Sequence, residues 1–487
     1  MTHPPNGSTA APDAPDAPTL PAVPPQAPAP STPPPAPLPP ERRSAWSEST
    51  DRLRTAATTE PGRLRIIGAV LAVLVVAFGA LASWQMSARS AAADDVLHRS
   101  QPLSADAASI YRSLADANTA AASGFLAGGQ EPAGVRKRYQ DDMDMAAEKL
   151  ATAASNSKGS KTTTDQLTLL GKLLPEYAER IETARTYNRQ GLPLGGAYLR
   201  DANDLMQKQM LPAAKKLYDA EKKQLDADYA DARAYPWAAI GLGVVAIGAL
   251  AWAQRRNYRR TNRVFNHGLV TATAAGTVVL LWLSVGHTLA WSNLNDSYDN
   301  GVRSLGVLND ARVSTLQARS NENLTLVARG AVTVPDGPDE GKDAYDVDYQ
   351  KQMARLGPNG PNDRSGHLGV ARVLADDDAG ARPVDDAAEA VAEWQKRHKA
   401  ARDADTQGNY DVALARVIGD DKPTGDSFDK ADKALEKALA HEQSDFKDAA
   451  ESGRAAMTGL PVGAAALAVL GAAGAVLGIG RRLSEYR

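Results

Sequence analysis

The sequence predicts an all-α membrane protein in which four transmembrane helices carry two tandem-repeated extracytoplasmic four-helix bundles, behind a disordered Pro-rich N-terminal tail. Three observations predict this fold class: four long uncharged apolar runs, arginine clusters that flank them, and a helical pattern that recurs in both halves of the chain. The 487 residues include no cysteine and only 5% aromatic residues. Domains outside the membrane must therefore be held together by packing without disulfides, and the alanine-rich composition favours helices over sheets.

The N-terminal segment differs from the rest of the chain in composition. Residues 1–40 hold more than half of the 30 prolines, many of them next to alanine. Proline has no amide donor for helices or sheets, so such a segment favours disordered, polyproline II-like conformations. We predict a disordered cytoplasmic tail over residues 1–65, whose last part is rich in Ser, Thr and Arg.

Four apolar runs are each near the length of about 20 residues that a helix needs to cross the hydrocarbon core of a bilayer. The predicted spans are 66–84, 236–253, 268–291 and 457–480. None of them carries Asp, Glu, Lys or Arg at mid-depth. Pumps, ion-coupled carriers and voltage sensors require such groups, so their absence from the spans argues against transport. The fourth span contains Gly474 and Gly478 in a G-x-x-x-G pattern, which indicates either close helix packing or Ala/Gly-rich filler.

The arginines predict the orientation of the chain. They cluster before the first span, in the short link between the second and third spans, and after the fourth span. The positive-inside rule places these ends in the cytoplasm. We therefore expect a multi-pass cell-membrane protein with both termini, a basic loop at 254–267 and a short tail at 481–487 in the cytoplasm. The bundles at 85–235 and 292–456 would lie outside.

The two bundles are related in sequence. Their third helices share a pattern at a constant offset of 217 positions. The matched residues are Glu176, Tyr177, Arg180, Ala184 and Arg185 in the first half and Glu393, Trp394, Arg397, Ala401 and Arg402 in the second. This repeat predicts two homologous units related by an axis along the membrane normal. In the second bundle, the sequence also predicts a long loop that ends near Pro383.

The sequence lacks a recognisable catalytic constellation. It contains no H-E-x-x-H, G-x-S-x-G or Walker motif, and its seven histidines are scattered rather than clustered as metal ligands. The net charge of −3 gives no basic excess for nucleic acid. We predict a protein that is not an enzyme, has no cofactor, metal or nucleic-acid partner, and is embedded in membrane lipids.

The repeated helix supplies most of the candidate binding residues, which are Tyr177, Arg180, Arg185, Trp394, Arg397 and Arg402. Two interpretations stay open. In the first, Glu176–Arg180 and Glu393–Arg397 are i,i+4 ion pairs on the rims of the bundles, and the two aromatic residues are core anchors. In the second, the arginines meet a carboxylate of a ligand or of a partner protein.

The stretch 318–330 is more polar than a core helix requires. We predict that Arg319, Asn321 and Glu322 in this stretch complete the candidate site, with neighbouring amide and hydroxyl side chains lining a crevice between helices. His398 replaces an isoleucine of the first bundle. It is either a group that titrates near neutral pH or a hydrogen-bonded core histidine.

The predicted architecture resembles two groups of bacterial membrane proteins. Spans at both ends of an extracytoplasmic helical bundle resemble the sensing half of chemoreceptors and sensor kinases. The Pro-rich N-terminus, the four spans, the two helical domains and the 318–330 stretch together resemble the GlnX-type membrane proteins of actinobacteria. That resemblance implies a protein that links an amino-acid-binding lipoprotein outside the cell to a PknG-type Ser/Thr kinase inside.

From these observations we expect a non-enzymatic transmembrane signal transducer. It would couple an extracytoplasmic amino-acid-binding lipoprotein to cytoplasmic Ser/Thr kinase control of nitrogen and amino-acid metabolism. Two alternatives stay open: a direct small-ligand sensor, in which the bundles bind the ligand themselves, and a structural scaffold for cell-envelope proteins.

Overall fold

The computed structural model describes residues 60–156, 160–261, 266–357 and 365–483. Within these residues the protein consists of helices and connecting loops, and the sole β-type contact described is an isolated bridge between Thr333 and Asp343. The predicted all-α fold class is confirmed. The described residues do not include 1–59 of the tail predicted over 1–65, 262–265 of the basic loop, or 484–487 of the C-terminal tail.

The described chain forms fifteen α-helices. In the first half they are α1 (Glu60–Asp95), α2 (Gln101–Leu126), α3 (Ala133–Asn156), α4 (Lys161–Arg189), α5 (Leu194–Leu205), α6 (Leu211–Arg233) and α7 (Trp237–Thr261). In the second half they are α8 (His267–Asp296), α9 (Arg303–Ala328), α10 (Ala344–Leu356), α11 (Gly366–Leu374), α12 (Asp378–Thr406), α13 (Tyr410–Ile418), α14 (Thr424–Met457) and α15 (Leu460–Leu483). Short π-helical turns join α1 to α2, α5 to α6 and α8 to α9.

Four helical segments are long and apolar enough to cross a membrane. They are Gly62–Leu126, Leu194–Arg259, His267–Ala328 and Thr424–Arg481. Each contains one of the four predicted spans, so the prediction of four membrane-crossing helices is confirmed. Each segment also extends far beyond its span, and in the first and third segments the helix continues through a π-helical turn into the helical domain.

Two of the π-helical turns precede a proline. Val96–Ser100 lies just before Pro102, and Met206–Met210 lies just before Pro212. A proline in a helix has no amide donor, and its ring clashes with the carbonyl four residues earlier, which here falls inside the π turn. Widening that turn relieves the clash while the helix continues, as π-bulges do elsewhere. The helices therefore pass these prolines without ending.

The second bundle contains two nine-residue helices that the sequence did not indicate. α11 lies in the segment predicted to be a long loop, and α13 lies between the predicted third and fourth helices. Helices this short are marginal by themselves, so their sequence signal is weak. Tertiary packing stabilises them here: Leu368 and Ala371 of α11 and Ala413 and Val417 of α13 are buried.

The two helical domains share one hydrophobic core. α2 of the first bundle packs directly along α9 of the second, and α14 packs on both α9 and α12. Ile110 and Leu114 on α2 belong to the same buried cluster as Leu308 and Leu316 on α9, and all four are fully buried. Because no solvent layer separates the bundles, a change in the position of one bundle must shift the packed side chains of the other.

The helices that return to the spans are interrupted, whereas those that leave the spans are not. α6 and α7 are separated by three residues, and α14 and α15 by two, with Gly459 in a left-handed conformation at φ 82°. At the first break, Arg89 donates a hydrogen bond from Nε to the carbonyl of Ala234 at 2.5 Å, and the Gln85 side chain accepts one from the amide of Ala239 at 3.2 Å. Side chains of α1 thus satisfy backbone groups that the break leaves without helical partners.

Glycines allow close approach of the third and fourth spans. A Cβ placed on Gly268 would lie 2.3 Å from the carbonyl oxygen of Gly474 and 2.5 Å from Cα of Gly478. The Asn266 side chain also donates a hydrogen bond to the Gly478 carbonyl at 2.8 Å. The G-x-x-x-G pattern of the fourth span thus lies at a helix–helix contact, as small residues do in lipid.

We expect Gly268→Ala to destabilise the protein by about 1–3 kcal/mol, the usual cost of overpacking a contact that cannot yield. Gly480→Ala is the matched control, because a Cβ at Gly480 meets no atom within 4 Å in the described structure. Thermal unfolding of both variants in lipid nanodiscs checks this. Equal melting temperatures for the two variants would show that the two spans do not pack through these glycines.

Candidate functional site

The polar stretch of α9 faces the protein interior. Arg319, Asn321, Glu322 and Asn323 are each between 0% and 5% exposed. α9 is packed against α2, α10, α11 and α14, and its residues 318–326 are all buried. Polar groups in such a place must find partners within the protein, because burying them unpaired is costly.

Glu322 is the centre of a buried polar network. Its carboxylate accepts hydrogen bonds from Arg319 Nη1 at 2.5 Å, His398 Nδ1 at 2.9 Å, Thr424 Oγ1 at 3.0 Å and Trp394 Nε1 at 3.1 Å. Burial would raise the pKa of Glu322, but Arg319 and His398 outweigh it and hold the pKa below its usual value. The network therefore surrounds an ionised carboxylate with donors from three helices, α9, α12 and α14.

His398 joins Glu322 to a second carboxylate. Its Nε2 lies 3.1 Å from Asp346 Oδ1 on α10, and its ring stacks on Tyr349 with the ring centroids 3.6 Å apart. Burial would lower the pKa of His398, but the hydrogen bonds to Asp346 and Glu322 outweigh it and raise the pKa above its usual value. His398 is thus a hydrogen-bonded core histidine between two acids, and protonation favours both contacts.

We expect the stability of the protein to fall as the pH rises through the folded-state pKa of His398. Because that pKa is raised on folding, the stabilisation is complete below the unfolded value of about 6.5 and is lost above the folded value. Melting temperatures in nanodiscs across neutral and alkaline pH should therefore decline, and His398→Gln should flatten the decline. His441→Gln, at a more exposed histidine between Asp377 and Asp445, should leave it almost unchanged. An unaltered pH profile in the His398 variant would contradict this assignment.

The first bundle has an uncharged counterpart of this network. The hydroxyl of Tyr177, which matches Trp394 in the repeat, donates to Asn118 Oδ1 on α2 at 3.2 Å. Asn118 in turn donates to Asn203 Oδ1 and, across the bundle boundary, to Ser320 Oγ of α9, both at 2.9 Å. In each bundle, the aromatic residue of the repeated helix is therefore hydrogen-bonded to a polar residue of the central helix, which is α2 in the first bundle and α9 in the second. Among these described contacts, the one in the second bundle involves an ionised group and the one in the first does not.

In the first bundle, the candidate arginines are already paired with carboxylates of this chain. Arg180 contacts Glu176 at 2.9 Å and Asp201 at 2.6 Å. Arg185 is 6% exposed and contacts Glu131 at 2.9 Å. The i,i+4 pair of the first interpretation is present in this bundle, and a ligand carboxylate would have to displace existing partners.

The candidate arginines of the second bundle are paired as well. Arg397 contacts Glu393 at 2.8 Å and donates to two backbone carbonyls that precede α14. Arg402 pairs with Asp405 and lies 3.4 Å from Asp346. The structure thus brings Arg319, Glu322 and Trp394 into one network and connects Arg402 to it through Asp346. It places Arg397 at the rim and leaves Tyr177, Arg180 and Arg185 in the other bundle, while Asn321 is buried nearby on α9.

A second charged network, which the sequence did not indicate, crosses between the bundles. Arg138 on α3 contacts Asp116 on α2 at 2.7 Å and reaches Asp432 on α14 at 3.1 Å. Arg312 on α9 contacts the same Asp432 at 2.7 Å. We call these four residues the interbundle charge network. They are far apart along the chain and have no distinctive spacing, so a sequence carries no signal that they meet.

Residues 92–230 match a family model described as an actinobacterial sensor domain. This range runs from the end of α1 to the last turns of α6, and so comprises the first bundle with the helix ends that lead to its two spans. No curated protein and no solved structure gave a significant match. The match supports a sensing role for this membrane protein. Over its first bundle, the chain is similar to the sensor domains of Actinobacteria.

Proposed function

We propose that this protein is a non-enzymatic transmembrane signal transducer. In this proposal the bundles lie outside the cell, and an amino-acid-binding lipoprotein docks on them. The resulting helix movement crosses the membrane and changes the availability of the cytoplasmic N-terminal tail to a Ser/Thr kinase pathway that controls nitrogen and amino-acid metabolism.

The observation that carries the proposal is the continuity of the helices. Gly62–Leu126 and His267–Ala328 each join a candidate membrane span to the central helix of a bundle. A helix is stiff along its axis because every turn is hydrogen-bonded to the next. Movement of α2 or α9 in the shared core is therefore coupled to movement of the attached span.

Two further observations support the proposed signal-transducing function. The first bundle is similar to actinobacterial sensor domains over residues 92–230. The two bundles share a core through α2 and α9, so a partner that binds either bundle acts on all four span-bearing helices. The partner must bind one arrangement more tightly than another, and moving a population from 1:99 to 99:1 requires a difference of about 5.5 kcal/mol.

The orientation can be tested because the sequence has no cysteine, so every introduced thiol is unique. Lys161→Cys on the first bundle and Lys396→Cys on the second replace side chains that are 87% and 82% exposed. A membrane-impermeant maleimide should label both in intact cells. Arg259→Cys at the end of α7 should be labelled only after permeabilisation. The reverse pattern would overturn the proposed topology.

The coupling can be tested by affinity capture of the full-length protein from its native membranes, followed by mass spectrometry. We expect a solute-binding lipoprotein among the captured proteins. Adding that lipoprotein to spin-labelled protein in nanodiscs should change the distances between labels on the bundles and labels at the span ends. Unchanged distances with the partner bound would favour a scaffold over a transducer.

A second candidate function is direct sensing of a small ligand by the bundles. One specific observation favours it: a cavity lies between the bundles, among the four helices that lead to the spans.

A further inference from the structure

The cavity between the bundles has a volume of about 290 Å³. Its walls come from α2, α6, α9 with the π turn before it, and α14. These helices continue toward the first, second, third and fourth spans, respectively. The volume is at the lower end of the range for ligand pockets, roughly 300–1,000 Å³, which suits a small metabolite. A group bound there lies among all four helices that lead to the candidate spans.

The polar lining of the cavity is mainly cationic. The charged and amide residues that line it are Gln101, Arg112, Lys222, Asn309, Arg312, Glu436 and Gln443. Three of these seven are cations and one is an anion. Arg312 is held by Asp432 in the interbundle charge network, and Glu436 is exposed at the rim.

Arg112 is a partly buried cation whose hydrogen-bond partner in the cavity wall is neutral. Its Nη1 donates to the neutral side-chain oxygen of Asn309 at 2.9 Å, and no carboxylate in the described part of the chain lies within ion-pair distance of it. Loss of solvent around the guanidinium, with Arg312 nearby, lowers the pKa of Arg112 to about 10, although the more distant carboxylates of Asp432 and Glu436 act in the opposite direction. Lys222 on the opposite wall likewise has no ion pair among the described residues. Two partly buried cations without an ion-pair partner face the same cavity, so this arrangement indicates a place for an anion from outside the chain.

The remaining walls of the cavity are apolar. Leu225 of α6, Leu305 of α9, and Leu439 and Phe446 of α14 line it beside the cations. An inorganic anion would leave this surface uncovered, whereas an organic anion would bury its carbon atoms against it. The guanidinium of Arg112 presents paired donors with the geometry of a carboxylate.

We propose that the cavity between the bundles binds a small organic carboxylate, with Arg112 and Lys222 holding the carboxylate and the leucines and Phe446 covering its carbon body. Binding at this site would not require a partner protein. Its consequence for signalling rests on the proposed function, because only a transducer would pass the occupancy of the cavity through the four helices.

The test uses the purified full-length protein in lipid nanodiscs without any partner protein. Propionate, succinate and glutamate are titrated up to about 10 mM by calorimetry, with inorganic phosphate as the anion that lacks a carbon body. We expect at least one of the three carboxylates to bind with a 1:1 stoichiometry and more tightly than phosphate. Failure of all three to bind, or equal binding of phosphate, would overturn the proposal.

The variant Arg112→Gln tests whether the carboxylate binds in this cavity. It removes a cation that lacks a counter-charge, so we expect the empty protein to remain as stable as the wild type or to become more stable. Carboxylate binding should weaken about 10- to 100-fold, the range for loss of a charge-assisted hydrogen bond. Arg382→Gln is the matched control, because that side chain is 77% exposed on α12 and outside the cavity. Equal affinity in the two variants would place the ligand elsewhere and overturn the proposal.

The same preparation separates this proposal from the proposed function. If a carboxylate binds and Arg112→Gln abolishes binding, the cavity assignment stands even when spin-label distances across the spans do not change, and only the transducer would then fail. If no carboxylate binds while a captured lipoprotein changes those distances, the transducer stands and the cavity assignment fails.

Discussion

Replacing Glu322 with glutamine is expected to destabilise the protein by about 3–5 kcal/mol, the cost of removing one partner from a buried ionic group. The substitution keeps the size and shape of the side chain. It leaves Arg319 and protonated His398, both 3–4% exposed, without the carboxylate that they share. Thermal unfolding in nanodiscs, followed by far-ultraviolet circular dichroism, measures the loss.

The same substitution should also lower the pKa of His398, because Glu322 supplies one of the two hydrogen bonds that raise it. Glu393→Gln is the matched control. It removes a carboxylate from an i,i+4 pair at the rim of the same bundle, where the side chain is 42% exposed, so it should cost only a few tenths of a kcal/mol. Equal losses in the two variants would mean that the network around Glu322 does not stabilise the fold.

Replacing Asp432 with asparagine is expected to cost about 3–5 kcal/mol and to loosen the contact between the bundles. Asp432 is 6% exposed and lies between Arg138 of the first bundle and Arg312 of the second. Without its charge, the repulsion between these two guanidinium groups is no longer offset by a carboxylate that both contact. Spin labels at Lys161→Cys and Lys396→Cys report the separation, and their distance distribution should broaden or lengthen.

Asp429→Asn is the control for Asp432, because it lies one turn earlier on α14. Asp429 is 55% exposed and 3.7 Å from Arg138, so solvent screens the interaction and its loss should be small. A distance distribution for Asp432→Asn that matches that of Asp429→Asn would show that the shared apolar core alone holds the bundles together.

The four spans follow from the sequence because one physical requirement decides them: a helix must present about 20 apolar residues to the lipid. The short helices α11 and α13 do not follow from it, since their stability comes from burial of side chains such as Leu368 and Val417 rather than from local preference. Long helices can therefore be predicted from the local sequence pattern, whereas short helices such as α11 and α13 depend on tertiary contacts.

The candidate site was predictable in part. The polar stretch of α9 and the repeated aromatic residue pointed to Glu322 and Trp394, which the structure joins at 3.1 Å. The partners Thr424 and Asp346 come from segments with ordinary helical composition, so the sequence does not distinguish them. Arg112 could not be predicted as a site residue either. A single arginine in a helix does not indicate whether a carboxylate pairs with it, and this is seen only in the folded structure.

The interruptions at Ala234 and Gly459 give the two kinds of span different mechanical properties. The first and third spans continue into the bundles as helices that are not interrupted, so we expect movement along the helix axis to pass through them. The second and fourth spans are joined to the bundles through short non-helical links, so in the proposed transducer we expect them to change their tilt more readily than the first and third. If the protein is the proposed transducer, a shift inside the bundles would therefore produce two motions: sliding in the first and third spans and tilting in the second and fourth.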